Sequence, residues 1–194
     1  MSAVAWTKEE RAEVKNRTAK PLLWVGMVSI LMFFGGLTSA LVVQAGNRQW
    51  LQFPIPDAFM VSTVLMVLSS VTMILAVRAA KKNNSGMVLT GVLLTLLLGV
   101  GFTVSQFIGY GDLVDMRIHF ADASNVAGSF FYAITGAHLA HLFGGLIALI
   151  VTAVSAGQGR YNATNLLGLQ LCSIYWHFLD GLWIYLLLFL MYYR

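Results

Sequence analysis

Charge is scarce in this chain. Of 194 residues, 10% are Asp, Glu, Lys or Arg and 58% are hydrophobic. A soluble domain carries about 25% charged residues, so a body facing water on all sides is excluded. The charges are also segregated. None lies between Lys20 and Arg48, Asp57 and Arg78, Lys82 and Asp112, Asp122 and Arg160, or Arg160 and Asp180. Each gap is close to or longer than the roughly 20 residues that cross a bilayer as helix. Cysteine is reduced to Cys172, which excludes an internal disulfide and reads as packing at mid-helix depth. Phosphate loops, nucleophile elbows and zinc signatures are missing, as are internal repeats. The first apolar run is too long for a signal-peptide core and has no clear small-x-small cleavage site, so it reads as a retained span.

What remains is an all-α membrane protein, a bundle of five transmembrane helices. Residues 1–20 form a polar N-terminal segment and 21–194 one transmembrane domain, with helices near 21–46, 55–78, 87–111, 125–156 and 165–192. Nine basic residues (Lys8, Arg11, Lys15, Arg17, Lys20, Arg78, Lys81, Lys82, Arg160) flank one set of loops and three (Arg48, Arg117, Arg194) the other. The positive-inside rule therefore puts the N-terminus in the cytoplasm and the C-terminus on the periplasmic side. The net charge of +4 then reflects topology and anionic lipid, with no nucleic-acid partner.

Local signals fill in this outline. Thr7 and Glu10 have capping-box spacing and Glu13 precedes Arg17 by four, which predicts a short surface helix before the membrane. Pro21 suits the first turn of helix 1. Trp50 is placed as an interfacial anchor. The hydroxyls of helix 2 (Ser62, Thr63, Ser69, Ser70, Thr72) are expected to bond back to their own backbone. "GDLVDMRIHFADASN" is the most acidic stretch and reads as a solvated outer loop. The sequon at Asn162 falls on the cytoplasmic side, where it is idle.

The polar residues inside the apolar runs carry the functional question. Gln106 is in helix 3 and His138 and His141 in helix 4. Helix 5 holds Gln170, Ser173, His177 and Asp180, whose spacing of 3, 4 and 3 makes one stripe on a helix. Beside the helix 4 histidines lie small residues, Gly136, Ala140, Gly144 and Ala148, together with Gly145, a pattern that admits a neighbouring helix closely. His138 and His177 fall roughly 20 Å and 17 Å from their respective helix ends at 1.5 Å per residue, which makes them candidate neighbours in the middle of the bilayer. Spacing alone leaves three readings open: helix-locking hydrogen bonds, proton handling and haem ligation. No second intramembrane carboxylate or thiolate cluster supports a metal centre.

A family resemblance bears on that choice. "YWHFLDGLW" (175–183) resembles the last-helix signature of subunit III of the haem–copper oxidases. "GSFFYAITGAHLAHLFGG" (128–145) is similar to the helix before it, with Thr135, Gly136, His138, His141 and Gly145 at the matching places. "TLLLGVGFTVSQFIGY" (95–110) resembles the next, with its glutamine at Gln106, and "STVLMVLSS" the segment in helix 2. The likeness runs over nearly all of the chain after residue 20 and fits the five-helix form of the family. Two family carboxylates are missing: Ile30 and Gly109 stand where glutamates are usual, and no role of those acids carries over.

The resemblance implies a metal-free accessory subunit of a proton-pumping cytochrome c oxidase in aerobic respiration, in a bacterial cytoplasmic membrane. It implies no catalytic residue and no cofactor on this chain, haem and copper in partner subunits, and bound phospholipid. It implies packing against subunit I, with subunit II, a small subunit IV and a respiratory supercomplex as further partners. The implied role is to stabilise subunit I, bind lipid and support proton uptake. Gln106, His138, His141, Gln170, Ser173, His177 and Asp180 then become an interhelical network locking helices 3 to 5. A quinol oxidase subunit, a haem b membrane anchor of a quinone enzyme and a pure assembly protein are the alternatives.

Overall fold

The computed structural model describes residues 8–46, 53–120 and 125–193. They form α1 (Lys8–Gln44), α2 (Asp57–Lys81), α3 (Ser85–Asp115), α4 (Val126–Gly157) and α5 (Leu167–Tyr193). All five contain spans long and apolar enough to cross a membrane. Among the described residues there is no strand, only an isolated bridge between Asn162 and Asn165.

The N-terminal part departs from expectation. Instead of a short surface helix followed by a start at Pro21, α1 is continuous from Lys8, with Pro21 inside it. The run from Lys8 to Lys20 is rich in Glu, Lys, Arg and Ala, all good helix formers. An interior proline loses its own N–H bond and crowds the carbonyl four residues back, yet α1 runs through Pro21, with good helix formers on its N-terminal side. Thr7 and Trp50, and the side chains of Glu10 and Glu13, lie outside the described residues.

The ends of the other helices follow local chemistry. Asn84 Oδ1 accepts from Met87 N at 3.1 Å and Asn125 Oδ1 from Gly128 N at 3.1 Å. These bonds satisfy first-turn donors of α3 and α4 that have no partner within their helices. Pro56 precedes α2, whose last turn carries Arg78 and Lys81, matching the helix dipole. The α4–α5 connection is folded on Asn162, whose Oδ1 accepts from Thr164 N, Thr164 Oγ1 and Asn165 N. Asn83 Oδ1 reaches across from the α2–α3 turn to accept from Ala163 N at 2.8 Å. The two connections are thus tied to each other.

Helices α2, α3, α4 and α5 close into a ring in which each packs on two neighbours, and α1 lies outside, against α4 and α5. The ring is filled by aromatic groups: Trp176, Trp183, Phe59, Phe102 and Phe131 are fully or almost fully buried. Phe102 and Phe131 meet their neighbours edge-on, Phe102 to Trp183 at 5.2 Å and Phe131 to Phe59 at 5.1 Å between centroids, an arrangement that aromatic quadrupoles favour. The outer faces are also apolar: Val64, Leu68, Leu97, Val104, Ile147 and Leu188 are exposed. Apolar residues all round a helix are what a lipid-facing bundle requires.

Glycine sets the closest approaches. A Cβ on Gly91 would lie 2.8 Å from the Cβ of Ala76 and 3.1 Å from its Cα, so α2 and α3 touch almost backbone to backbone. A Cβ on Gly99 would lie 2.7 Å from Cη2 of Trp176, and one on Gly145 would be 3.3 Å from its Cζ3. The indole of Trp176 therefore reaches from α5 into a slot between a glycine of α3 and a glycine of α4.

Candidate functional site

The polar groups of the interior organise around α2. Its hydroxyls do bond back to their own helix: Ser62 and Thr63 donate to Phe59 O, Ser69 to Met66 O and Thr72 to Ser69 O, all at 2.7–2.8 Å. A hydroxyl that has donated its proton still has lone pairs to accept with. Trp176 Nε1 donates to Ser69 Oγ at 2.9 Å, Trp183 Nε1 to Thr63 Oγ1 at 3.0 Å, and Gln106 Nε2 to Ser62 Oγ at 2.9 Å. Each hydroxyl thus closes a short chain from a donor on α3 or α5 to the α2 backbone. On the α3 side, the hydroxyls of Thr72 and Thr95 meet at 2.8 Å, and Ser105 donates to Ala58 O at 2.7 Å.

Ser70 differs from its neighbours. It makes no bond to its own backbone and donates to Asp180 Oδ2 at 2.5 Å, within the range of charge-assisted O–H···O contacts. His177 Nδ1 sits 2.9 Å from the same hydroxyl. The second carboxyl oxygen, Asp180 Oδ1, is buried and has no hydrogen-bond partner among the described residues. His177 is half-buried and, with Leu31, Phe178, Gly181, Leu182 and Tyr185, lines an open groove of about 300 Å³ between α1 and α5.

The remaining candidate residues are placed as follows. His141 Nδ1 donates to Ala137 O at 2.7 Å within its own helix, which fixes the Nδ1–H tautomer because a carbonyl only accepts. Neither ring nitrogen of His138 has a hydrogen-bond partner among the described residues. Its imidazole is enclosed by the rings of Trp183, Phe102 and Phe34, at 5.1, 6.2 and 6.4 Å between centroids. The side chains of Gln170 and Ser173 form no hydrogen bond among the described residues. The side-chain bonds therefore do not join Gln106, the three histidines and Asp180 into one network across α3, α4 and α5. Those of Gln106, His177 and Asp180 run to α2, α4 is tied to its neighbours by Tyr110 donating to Thr135 Oγ1 and Tyr175 to His141 O, and His138 and His177 are separated into different surroundings. Of the small residues of α4, Gly145 faces Leu179 and Trp176, a Cβ on Gly136 would meet nothing within 4 Å, and Ala140 and Gly144 are exposed.

The two family carboxylate positions also have definite surroundings. Ile30 is half-buried in a groove of about 370 Å³ with Leu23, Met27 and Tyr175. A Cβ on Gly109 would lie 2.6 Å from the ring of Phe59, so Phe59 fills the space that a longer side chain would need.

Sequence reading missed the two tryptophans and their hydroxyl partners. The signal was present. An indole N–H in hydrocarbon requires an acceptor. Trp176 and Trp183 are seven residues apart, two turns on one face, and Thr63 and Ser69 are six apart on an antiparallel helix.

An α-helical, multi-pass membrane bundle whose intramembrane polar groups bond helix to helix is the class defined by this geometry. A model of the cytochrome c oxidase subunit III family matches residues 43–194. "Cytochrome c oxidase subunit 3" of Corynebacterium diphtheriae is 32% identical over 162 residues, which cover 79% of this chain and 78% of that protein. The protein of the same name from Alkalihalophilus pseudofirmus is 32% identical over 133 residues, 67% of this chain and 63% of that one. "Probable cytochrome c oxidase subunit 3" of Mycobacterium tuberculosis (strain ATCC 25618 / H37Rv) is 32% identical over 170 residues, 84% of this chain and 81% of that protein. The chain belongs to the cytochrome c oxidase subunit III family. Membership makes it a subunit of a respiratory haem–copper oxidase, associated with other oxidase subunits. Among the described residues, no group of three or more His, Cys, Asp or Glu is placed to hold a metal ion.

Proposed function

We propose that this chain is an accessory subunit that packs beside subunit I of the oxidase, in contact with subunit II and a small fourth subunit, and stabilises subunit I while lipid fills the grooves beside α1. Its place is a bacterial cytoplasmic membrane, with the N-terminus and the basic connections on the cytoplasmic side. The observation that carries the reading is the way the interior polar side chains are used. The indoles of Trp176 and Trp183, the Gln106 amide and the α2 hydroxyls bind one helix to another, which suits a scaffold that keeps its register. The histidines are engaged in ways that suit a scaffold too. The ring of His138 is packed against three aromatic side chains. His141 and His177 each hold a hydrogen bond through Nδ1.

The lipid part of the proposal rests on the shape around α1. Among the described residues this helix contacts only α4 and α5, and it is flanked by the groove at Ile30 and by a second of about 350 Å³ lined by Leu23, Val151, Tyr161 and Tyr175 among others. Both are walled by apolar side chains that accept acyl chains. Lys20 adjoins the residues lining the first groove, where a basic side chain favours an anionic headgroup. Support of proton uptake belongs to the same proposal.

The test is purification of the tagged chain from its native membrane in mild detergent. Mass identification of co-eluting proteins and lipids would accompany oxygen-consumption assays with cytochrome c and with quinol. Subunits I and II with phospholipid, and oxygen consumption by the preparation, are the expected result; which donor supports it separates a cytochrome c oxidase from a quinol oxidase. A chain that elutes without subunit I would overturn the proposal. Stoichiometric haem on the separated chain, lost on His177→Gln, would support the quinone-enzyme anchor in its place.

A further inference from the structure

The cluster of Ser70, His177 and Asp180 does more than join two helices. Asp180 lies thirteen residues from either end of α5, about 20 Å from each at 1.5 Å per residue, so it sits in the middle of the bilayer. It is only 8% exposed, and its Oδ1 is buried without a partner among the described residues. An uncompensated carboxylate there is strongly disfavoured. Among the described residues no arginine or lysine pairs with it. Across from Asp180 on α2 the charge-free run extends from Asp57 to Arg78, and α1 has no charged residue from Pro21 to the end of the helix at Gln44. On α4, His138 is packed among Trp183, Phe102 and Phe34, His141 Nδ1 is bonded to Ala137 O, and Tyr132 Oη is bonded to Ile118 O, so none of the three is hydrogen-bonded to this pair among the described residues. On α5 itself, Tyr185 shares the groove with His177. His177 and Asp180 meet at the same hydroxyl, that of Ser70.

The hydrogens can be counted. Ser70 has one, and its oxygen touches both Asp180 Oδ2 and His177 Nδ1. If Asp180 is ionised, Ser70 donates to it and Nδ1 must carry a proton and donate to Ser70. Neutrality of the cluster then requires the imidazolium. If Asp180 is protonated, it donates to Ser70, Ser70 donates to Nδ1, and the imidazole is neutral with its proton on Nε2. Both arrangements use the same heavy-atom contacts, both are neutral overall, and they differ by one proton at each of the two bonds. Transfer of the carboxyl proton to Ser70 Oγ, together with transfer of the serine proton to Nδ1, converts the second into the first. No bond other than these O–H and N–H bonds changes.

We propose that Asp180, Ser70 and His177 form a membrane-embedded proton site, holding one proton between them and passing it through the serine hydroxyl between the buried carboxyl and the groove-facing imidazole. Exchange with the exterior takes place at Nε2 of His177, the ring nitrogen not bonded to Ser70, from the groove between α1 and α5. This gives the proton-handling part of the proposed function a location. The geometry behind it belongs to this chain alone, and the test below reads the site whether or not other subunits co-purify.

The experiment is infrared spectroscopy of the full chain in native lipid, with aspartate labelled with carbon-13 at the side-chain carboxyl, titrated in H2O and in D2O. The expected result is an isotope-shifted carboxylic-acid C=O band that exchanges slowly in D2O, unlike those of the terminal and loop aspartates. Asp180→Asn abolishes this band. Its intensity changes reciprocally with an imidazole ring band that His177→Gln removes, and Ser70→Ala breaks the reciprocity. Two results overturn the proposal. One is a carboxylate band for Asp180 at every pH, with no linked imidazole change. The other is an acid band that never varies with the histidine. The labelled, unsubstituted protein distinguishes these outcomes even where a variant fails to fold.

Discussion

Replacing Gly99 with alanine is predicted to destabilise the bundle, although the same change in an open helix would stabilise it. Alanine is favoured over glycine in a helix interior by about 1 kcal/mol. Against that gain stands a Cβ placed 2.7 Å from Cη2 and 3.0 Å from Cζ2 of Trp176, and 3.0 Å from Leu146. The two indole atoms belong to a rigid ring and cannot rotate away singly. Moving the ring strains or breaks the Nε1–Ser69 bond, of a kind worth about 0.6–1.7 kcal/mol in a membrane. Overpacking a well-filled core costs about 1–3 kcal/mol. The two penalties together exceed the propensity gain, and a net loss of about 1–3 kcal/mol follows. Trp176→Phe removes the clashing atoms, so it costs stability by itself yet reduces the penalty of Gly99→Ala. Residues in contact show such coupling, on the order of 0.5–3 kcal/mol. Cys172 supplies the assay: it is buried and is the single cysteine of the chain. The rate of its maleimide labelling across an SDS titration in mixed micelles reports unfolding one turn from Trp176. Gly99→Ala labelling no faster than the parent, or costs that add in the double variant, would refute the slot described for Trp176.

Three other predictions use the same assay. Gly136→Ala should leave stability unchanged or raise it by up to about 1 kcal/mol, because a Cβ there meets nothing within 4 Å. Gly109→Glu, which restores a family carboxylate, should lower the yield of folded chain, and Phe59→Ala should recover part of it by vacating the space that Phe59 fills. Ser70→Ala strips hydrogen bonds from His177 and Asp180 at once and should cost about 1–3 kcal/mol. Ser105→Ala, which loses a single bond to Ala58 O, should cost less, about 0.6–1.7 kcal/mol.

The spans were legible because charge is so strongly excluded from hydrocarbon that its absence alone marks them. The start of α1 was not, because a proline suits a first turn far better than a helix interior, and the helix nevertheless runs through Pro21 from Lys8. The polar residues inside the membrane could be named from sequence, but their partners could not. Ser70 and Asp180 are 110 residues apart, and whether a hydroxyl of α2 also serves another helix depends on the register of α2 against α5. Periodicity within one helix carries no information about that register. For the same reason the stripe of Gln170, Ser173, His177 and Asp180 divided: two of its members reach Ser70, and the side chains of the other two form no hydrogen bond among the described residues. His138 and His177 were matched by depth, yet depth does not fix azimuth, and the aromatic filling of the ring sets them apart. The glycines of α3 show the same limit. Gly91 and Gly99 stand where Ala76 and Trp176 approach too closely for a side chain, which the pattern of α3 by itself does not reveal.

In the proposed role this chain supports an oxidase without carrying its redox groups. The most direct measurement compares the oxidase purified from cells with and without this chain, recording the haem spectrum and metal content per subunit I, then oxygen consumption over repeated turnovers. Equal haem and copper and a matching initial rate are expected, with activity lost faster during turnover when the chain is missing. A stoichiometric loss of haem or copper on removing the chain would contradict it.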